Sequence, residues 1–287
     1  MSEKPDSATE ETAVRDELLS LEALLIGRLY LYTLFHKALG GEPTPQLLEA
    51  LSSQATGDAI EEYALTDETM AKLKTFLGAT ANKEADANWL ESVAREYTRF
   101  FEGPADLPAY PWEAPYISHE STLFQKSTLE VREAYRAYGF KVKLYQRVPD
   151  DHVSTMFVFM ARLAERSLEA FRNGSLDGFR TLMVDQHTFA RAHLNNWLPK
   201  YASLARSVKE AHLYPQLVQG AKAFARLDET FSAEAIAWVD GSTEEVALFL
   251  QSGTFVRPEA FDEMERAIEH MAALELVGLD ENELVEM

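Results

Sequence analysis

Apolar residues recur along this chain at the spacing of an α-helix, and no stretch alternates as a half-buried strand would. Val153, Met156, Phe157, Met160, Leu163, Ala164, Leu168 and Phe171 follow one another mostly three or four positions apart, which places them on one helical face. Asn173-Gly174 closes that run. A second stripe runs Leu18, Leu21, Leu25, Leu29, Tyr32, Phe35, Leu39 from about Arg15. Gly40-Gly41 ends it, and Pro43 and Pro45 keep it from resuming. Further helices are expected over 45–54, 67–77, 85–101, 127–139, 176–197, 199–227 and 258–276, with Ser127 and Glu130 read as a capping box. The expected fold is all-α: a single bundle-like domain over 13–230. A disordered tail is expected at 1–12, a hinge-like connector at 140–149, and an acidic, partly helical extension at 231–287.

Charge and cysteine usage narrow the function. The 287 residues carry 47 acidic against 27 basic side chains, a formal net charge of −20. Such a field repels nucleic acid and anionic lipid and attracts cations and basic peptides. No apolar run is read as approaching the ~20 residues of a spanning helix, and the polar N-terminus offers no h-region of a signal peptide. A cytoplasmic protein without membrane insertion is the expectation. Cysteine is absent, which removes disulfides, thiolate metal sites and thiol nucleophiles together. No glycine precedes a lysine, so a Walker A loop is excluded, and neither H-E-x-x-H nor an EF-hand loop is present. No cofactor is expected.

Two segments stand out against the helical background. In "QRVPDDHVSTMF", residues 146–157, Pro149, Asp150, Asp151 and His152 stand at the head of the long stripe. Asp150 suits an N-cap, and Asp151 in a first turn would complement the helix dipole. That leaves His152 without a structural reason. A triad or metal site would need partners brought by the fold, since adjacent helical residues point about 100° apart. The second segment, "GPADLPAYPWEAPY" at 103–116, clusters Tyr110, Pro111, Trp112, Pro115 and Tyr116 just after Phe100-Phe101. Such rings either pack inward or form a rigid apolar groove for a peptide.

Three segments, in this order and spacing, resemble the TorD/DmsD-type redox-enzyme maturation chaperones: "YTRFFEGPADLPAYPWEAPYIS" at 97–118, "VPDDHVSTMFVFMARLAE" at 148–165, and "DQHTFARAHLNNWLPKYASLARSVKEAHLYPQLVQGAKAF" at 185–224. The resemblance covers about 15–230. It implies an all-helical, non-enzymatic chaperone. Its partner would be the catalytic subunit of a molybdopterin oxidoreductase, bound through its twin-arginine leader and in some cases its mature apo-protein. Binding would assist cofactor insertion and delay export. Family members occur as monomers and as domain-swapped dimers, so a swapped homodimer stays open. By resemblance the leader-binding residues are Tyr97, Phe100, Phe101, Pro111, Trp112, Asp151 and His152, with Tyr116 in the same loop. Val148 stands where the family pattern has Glu, leaving Asp150 as the nearest replacement carboxylate. Two rivals remain at this level: a helical interaction or scaffold protein whose loop packs internally, and a hydrolase or metal enzyme using His152.

Overall fold

A computed structural model describes residues 7–83, 86–103, 106–117, 126–143, 149–209, 211–242, 244–252, 255–278 and 283–287. The proposed disordered start therefore lies partly outside the described residues, as do Pro104, Val148 and positions 144–148 of the connector. The described part is all-α apart from one very small sheet. Helix α1, Ser7–Gly40, is the central strut. Its stretch Thr12–Gly40 is long and apolar enough, by length and composition, to cross a membrane. Here it is instead largely buried by the helices around it. α2 (Pro45–Leu51), α3 (Gln54–Thr66) and α4 (Glu68–Gly78) follow. Thr44, Ser53 and Asp67 cap their first turns through side-chain oxygens.

α8, Val153–Arg172, lies along α1. From Val153 to Ala161 every residue of α8 is buried, whichever way it faces, the mark of a helix enclosed on all sides. Phe157 sits 5.6 Å, ring to ring, from both Tyr32 and Phe35 of α1. α9 (Leu176–Phe189), α10 (Leu198–Arg206) and α11 (Tyr214–Gly241) complete the bundle. One buried ion pair ties three of these helices together. Arg28 of α1 donates to both oxygens of Asp228 on α11 and to Gln186 Oε1 on α9, and the Tyr32 hydroxyl donates to Asp228 at 2.5 Å.

Several boundaries differ from the sequence expectation. α3 occupies residues not read as helical. In place of the one helix expected over 199–227, α10 ends at Arg206 and α11 begins at Tyr214 and continues to Gly241. The break has a cause in Glu96, whose buried carboxylate accepts the backbone N–H groups of His212, Leu213 and Tyr214 and so caps α11 from outside. α7, Lys126–Ala137, already contains Ser127. The Ser127 hydroxyl has no partner among the described residues, so the expected capping box does not form.

The C-terminal region folds back onto the bundle. α12 (Glu244–Gln251) and α13 (Glu259–Ala273) precede β2, Leu284–Glu286. β2 pairs antiparallel with β1, Phe140–Val142, in the register Phe140↔Glu286 and Val142↔Leu284. No strand was expected at either place. Residues 276–277 cross the end of α1, where Glu42 N donates to Val277 O at 2.6 Å. Gly41 permits that crossing: a Cβ there would lie 3.1 Å from the Val277 backbone.

Candidate peptide-binding site

The aromatic loop and the head of α8 are joined through their backbones. Trp112 and His152 form an antiparallel bridge. Val153 N donates to Pro111 O at 2.8 Å, and Glu113 N to Asp151 O at 3.2 Å. The structure thus brings Pro111, Trp112, Asp151 and His152 to one place.

The roles inside that cluster invert the sequence reading. The N-cap of α8 is His152, not Asp150: its Nδ1 accepts Ser154 N–H at 3.2 Å. An imidazole can do this only when that nitrogen is unprotonated. Burial keeps it so, lowering the His152 pKa to about 3. Asp151 does not sit in the first turn of α8. It turns across to the loop, where its Oδ2 accepts Ala114 N–H at 2.8 Å at the start of α6, Ala114–Ile117. Burial pushes its carboxyl up to about 6, against the downward pull of that N–H. Asp150 pairs with Arg132 of α7, Nε to Oδ1 at 3.2 Å and Nη2 to Oδ2 at 2.5 Å. Its backbone carbonyl accepts the Tyr135 hydroxyl. Asp150, Asp151 and His152 are all buried. Neither carboxylate is presented to a ligand's arginine as the sequence had suggested.

The third segment completes the mount. α9 runs into a π-helical turn, Ala190–Leu194, that carries His193. His193 and Asn196 hold the buried Glu113 carboxylate, at 3.1 and 2.9 Å. Tyr116 stacks on Trp197 with ring centroids 5.4 Å apart, and its hydroxyl donates to Tyr110 O. Glu113, Arg132, His193 and Asn196 are site residues that sequence reasoning did not single out. Glu113 and His193 stand within the quoted segments, but their pairing across 80 residues does not show in a sequence.

What faces outward is apolar. α5, Ala87–Tyr97, also ends in a π-helical turn, Thr98–Glu102, stopped by Gly103 at φ 87°. Tyr97 and Phe100 are buried; Phe101 is half-buried, stacked on Tyr97 at 4.9 Å and 6.4 Å from the His152 ring. Trp112 and Tyr116 are half-buried, Pro111 is buried and Pro115 exposed. Tyr110, 5.1 Å from Trp112, is 41% exposed and Ile117 44%. The result is a shelf of rings and prolines, hydrogen-bonded from beneath by the polar network. No group of three or more His, Asp or Glu side chains able to hold a metal occurs among the described residues.

With this geometry in place, comparison with known proteins is decisive. The family model described as nitrate reductase delta subunit matches residues 60–203, half of the chain. The chain belongs to this family, which takes in TorD. Among curated relatives, the Tat proofreading chaperone DmsD of Salmonella typhimurium is 37% identical over 75 residues, 26% of this chain and 37% of that protein. The alignment thus spans little more than a third of that relative. Chaperone protein TorD of Vibrio cholerae El Tor is 26% identical over 200 residues, 70% of this chain and 87% of that one. TorD of Shewanella pealeana is 21% identical over 235 residues, 79% and 96% of the two chains. The family assignment agrees with the all-α bundle, and all three segments that carried the resemblance converge on the one shelf. This delta-subunit family member differs from its sequence expectation chiefly in which residues face out.

Proposed function

We propose that this protein is a chaperone for a molybdopterin-containing reductase subunit, and that it holds the subunit's twin-arginine leader on the shelf of Phe101, Tyr110, Trp112, Tyr116 and Ile117. The observation that carries the reading is the shelf itself: the exposed Tyr110 ring beside the half-buried Phe101, Trp112 and Tyr116, held by a buried polar mount. Immobilised rings lose little entropy on binding an apolar segment. In this reading Pro111, Asp150, Asp151 and His152 set the shape of the shelf and do not touch the leader; Tyr97 and Phe100 support Phe101 from below. The charge of −20 would speed encounter with a dicationic leader and make it salt-sensitive. Assisting cofactor insertion, delaying export, and action within the cytoplasm without catalysis belong to the same proposal. The scaffold rival is disfavoured because Trp112 is not sealed within the core.

Calorimetry with a synthetic leader peptide tests it. Trp112→Ala should weaken binding by more than ~1 kcal/mol, roughly fivefold, with the thermal melt little changed. Equal affinity in the two proteins would refute the shelf as the binding site.

A further inference from the structure

A second groove lies on another face of the bundle, and the chain's own C-terminal segment sits in it. α13 packs along α1 and reaches α8 through the Arg172–Glu265 ion pair and across the clefts beside it. Its apolar stripe is Phe261, Met264, Ile268 and Met271, yet only Met271 is fully buried. Clefts stay open beside Ile268, one reaching Val158 and Ala161 and the other Leu168. The helix therefore docks shallowly on a groove it does not fill. Its head is electrostatic. Arg257, just before α13, donates to Oε1 of Glu22 on α1 at 2.6 Å, and Arg172 of α8 donates to the same oxygen at 2.6 Å. Glu22 is completely buried, and its Oε2 has no hydrogen-bond partner among the described residues. A buried carboxylate oxygen in that state is costly and calls for a further donor.

We propose that the α1–α8 groove is a docking site for an apolar helix led by arginines, in which residues 257–273 act as an internal stand-in that a leader peptide displaces. This rests on the leader-binding function proposed above and adds a site separate from the shelf. The stand-in has the same order of features, arginine first and apolar helix after. It offers one guanidinium to Glu22, where a twin-arginine segment offers donors to both oxygens. Arginine rather than lysine fits because its planar fork can engage a carboxylate at two points. A tethered occupant competes at high effective concentration, so the groove is masked until it is displaced.

The test uses the full chain and a synthetic peptide of two adjacent arginines followed by an apolar helical stretch, with a two-lysine version as control. Hydrogen exchange should show amides of 259–273 losing protection on adding the arginine peptide, and less so with the lysine peptide. Arg257→Gln removes one of the anchors of residues 257–273, the Arg172–Glu265 ion pair remaining, and should raise peptide affinity about fivefold. Peptide binding that depends on Trp112, with 259–273 still protected and Arg257→Gln without effect, overturns the groove and leaves the shelf intact. Displacement of α13 with no effect of Trp112→Ala supports the groove and overturns the shelf. No binding to either the parent protein or Arg257→Gln overturns both.

Discussion

His152→Asn tests the inverted cap most directly. An asparagine keeps an oxygen that can accept Ser154 N–H, so helix α8 retains its N-cap, while the buried imidazole is removed. His152 has its pKa lowered by burial from 6.5 to about 3. The unfolded chain therefore binds a proton below pH 6.5 that the folded chain refuses until about pH 3, and stability must fall as pH falls through that window. The slope is about 1.4 kcal/mol per pH unit, so His152 costs the fold about 2 kcal/mol between pH 7 and pH 5. His36 of α1 is lowered to about 3 as well, first by burial and then by Lys37, and contributes a similar loss. Asp151 works the other way: its folded pKa, about 6, lies above the ordinary 3.8, so protonation on acidification returns about 1 kcal/mol over the same range. Denaturant unfolding at the two pH values should show the parent protein losing about 3 kcal/mol and His152→Asn only about 1. His152→Ala should show the same flattening together with a loss of about 1 kcal/mol at pH 7 from the missing cap. An equal drop in parent and His152→Asn would mean that His152 is not a neutral buried cap.

Three further substitutions separate the mount, the apolar core and the buried ion pair. Asp151→Asn keeps an acceptor for Ala114 N–H; calorimetry should find leader affinity within about twofold of the parent, whereas a charge read directly by arginine would lose about tenfold or more. Phe157→Ala empties a site at the α1–α8 contact and should cost about 3–5 kcal/mol in denaturant unfolding. Arg28→Met leaves Asp228 buried without its guanidinium and should cost about 3–5 kcal/mol, much of it recovered in Arg28→Met/Asp228→Leu; a double variant no more stable than the single would contradict the ion-pair account.

The parts of the fold legible in the sequence are those set by long apolar stripes. α1 and α8 bury so many neighbours that period alone locates them. α3 escaped because its inward face is short and mixed, Thr56, Ala59, Ile60 and Tyr63, with Gly57 beside it. The break before α11 depends on Glu96, more than a hundred positions upstream, although Pro215 in the first turn was a local sign of a helix start. β1 and β2 are three residues each, too short for alternation to register. At the site the residues were legible and their roles were not. Asp is ordinarily a better cap than His, so local reasoning assigned the cap to Asp150. Arg132, eighteen positions away, takes that carboxylate instead, and the Ala114 amide takes the next. Only the fold brings those partners within reach, and with them engaged the histidine is left to close the helix.

This division of labour changes what the family resemblance can mean. Glu113, Asp151, His152 and Trp197 stand within the segments that resemble the family, and all are buried. They fix the loop to the heads of α6 and α8 and to the turn before α10. The side chains that face solvent, Tyr110, Pro115 and Ile117, lie between or beside them. A motif built from buried hydrogen-bonding groups tolerates little change, because each orphaned partner costs the fold about 1–3 kcal/mol. Exposed apolar positions carry no such penalty. A shared mount can therefore present different surfaces, and on the function proposed above discrimination between one client and another falls to the outward side chains and to the proposed α1–α8 groove. Asp151, through Ala114 N–H, and His152, through its bridge to Trp112, secure the loop that carries those side chains.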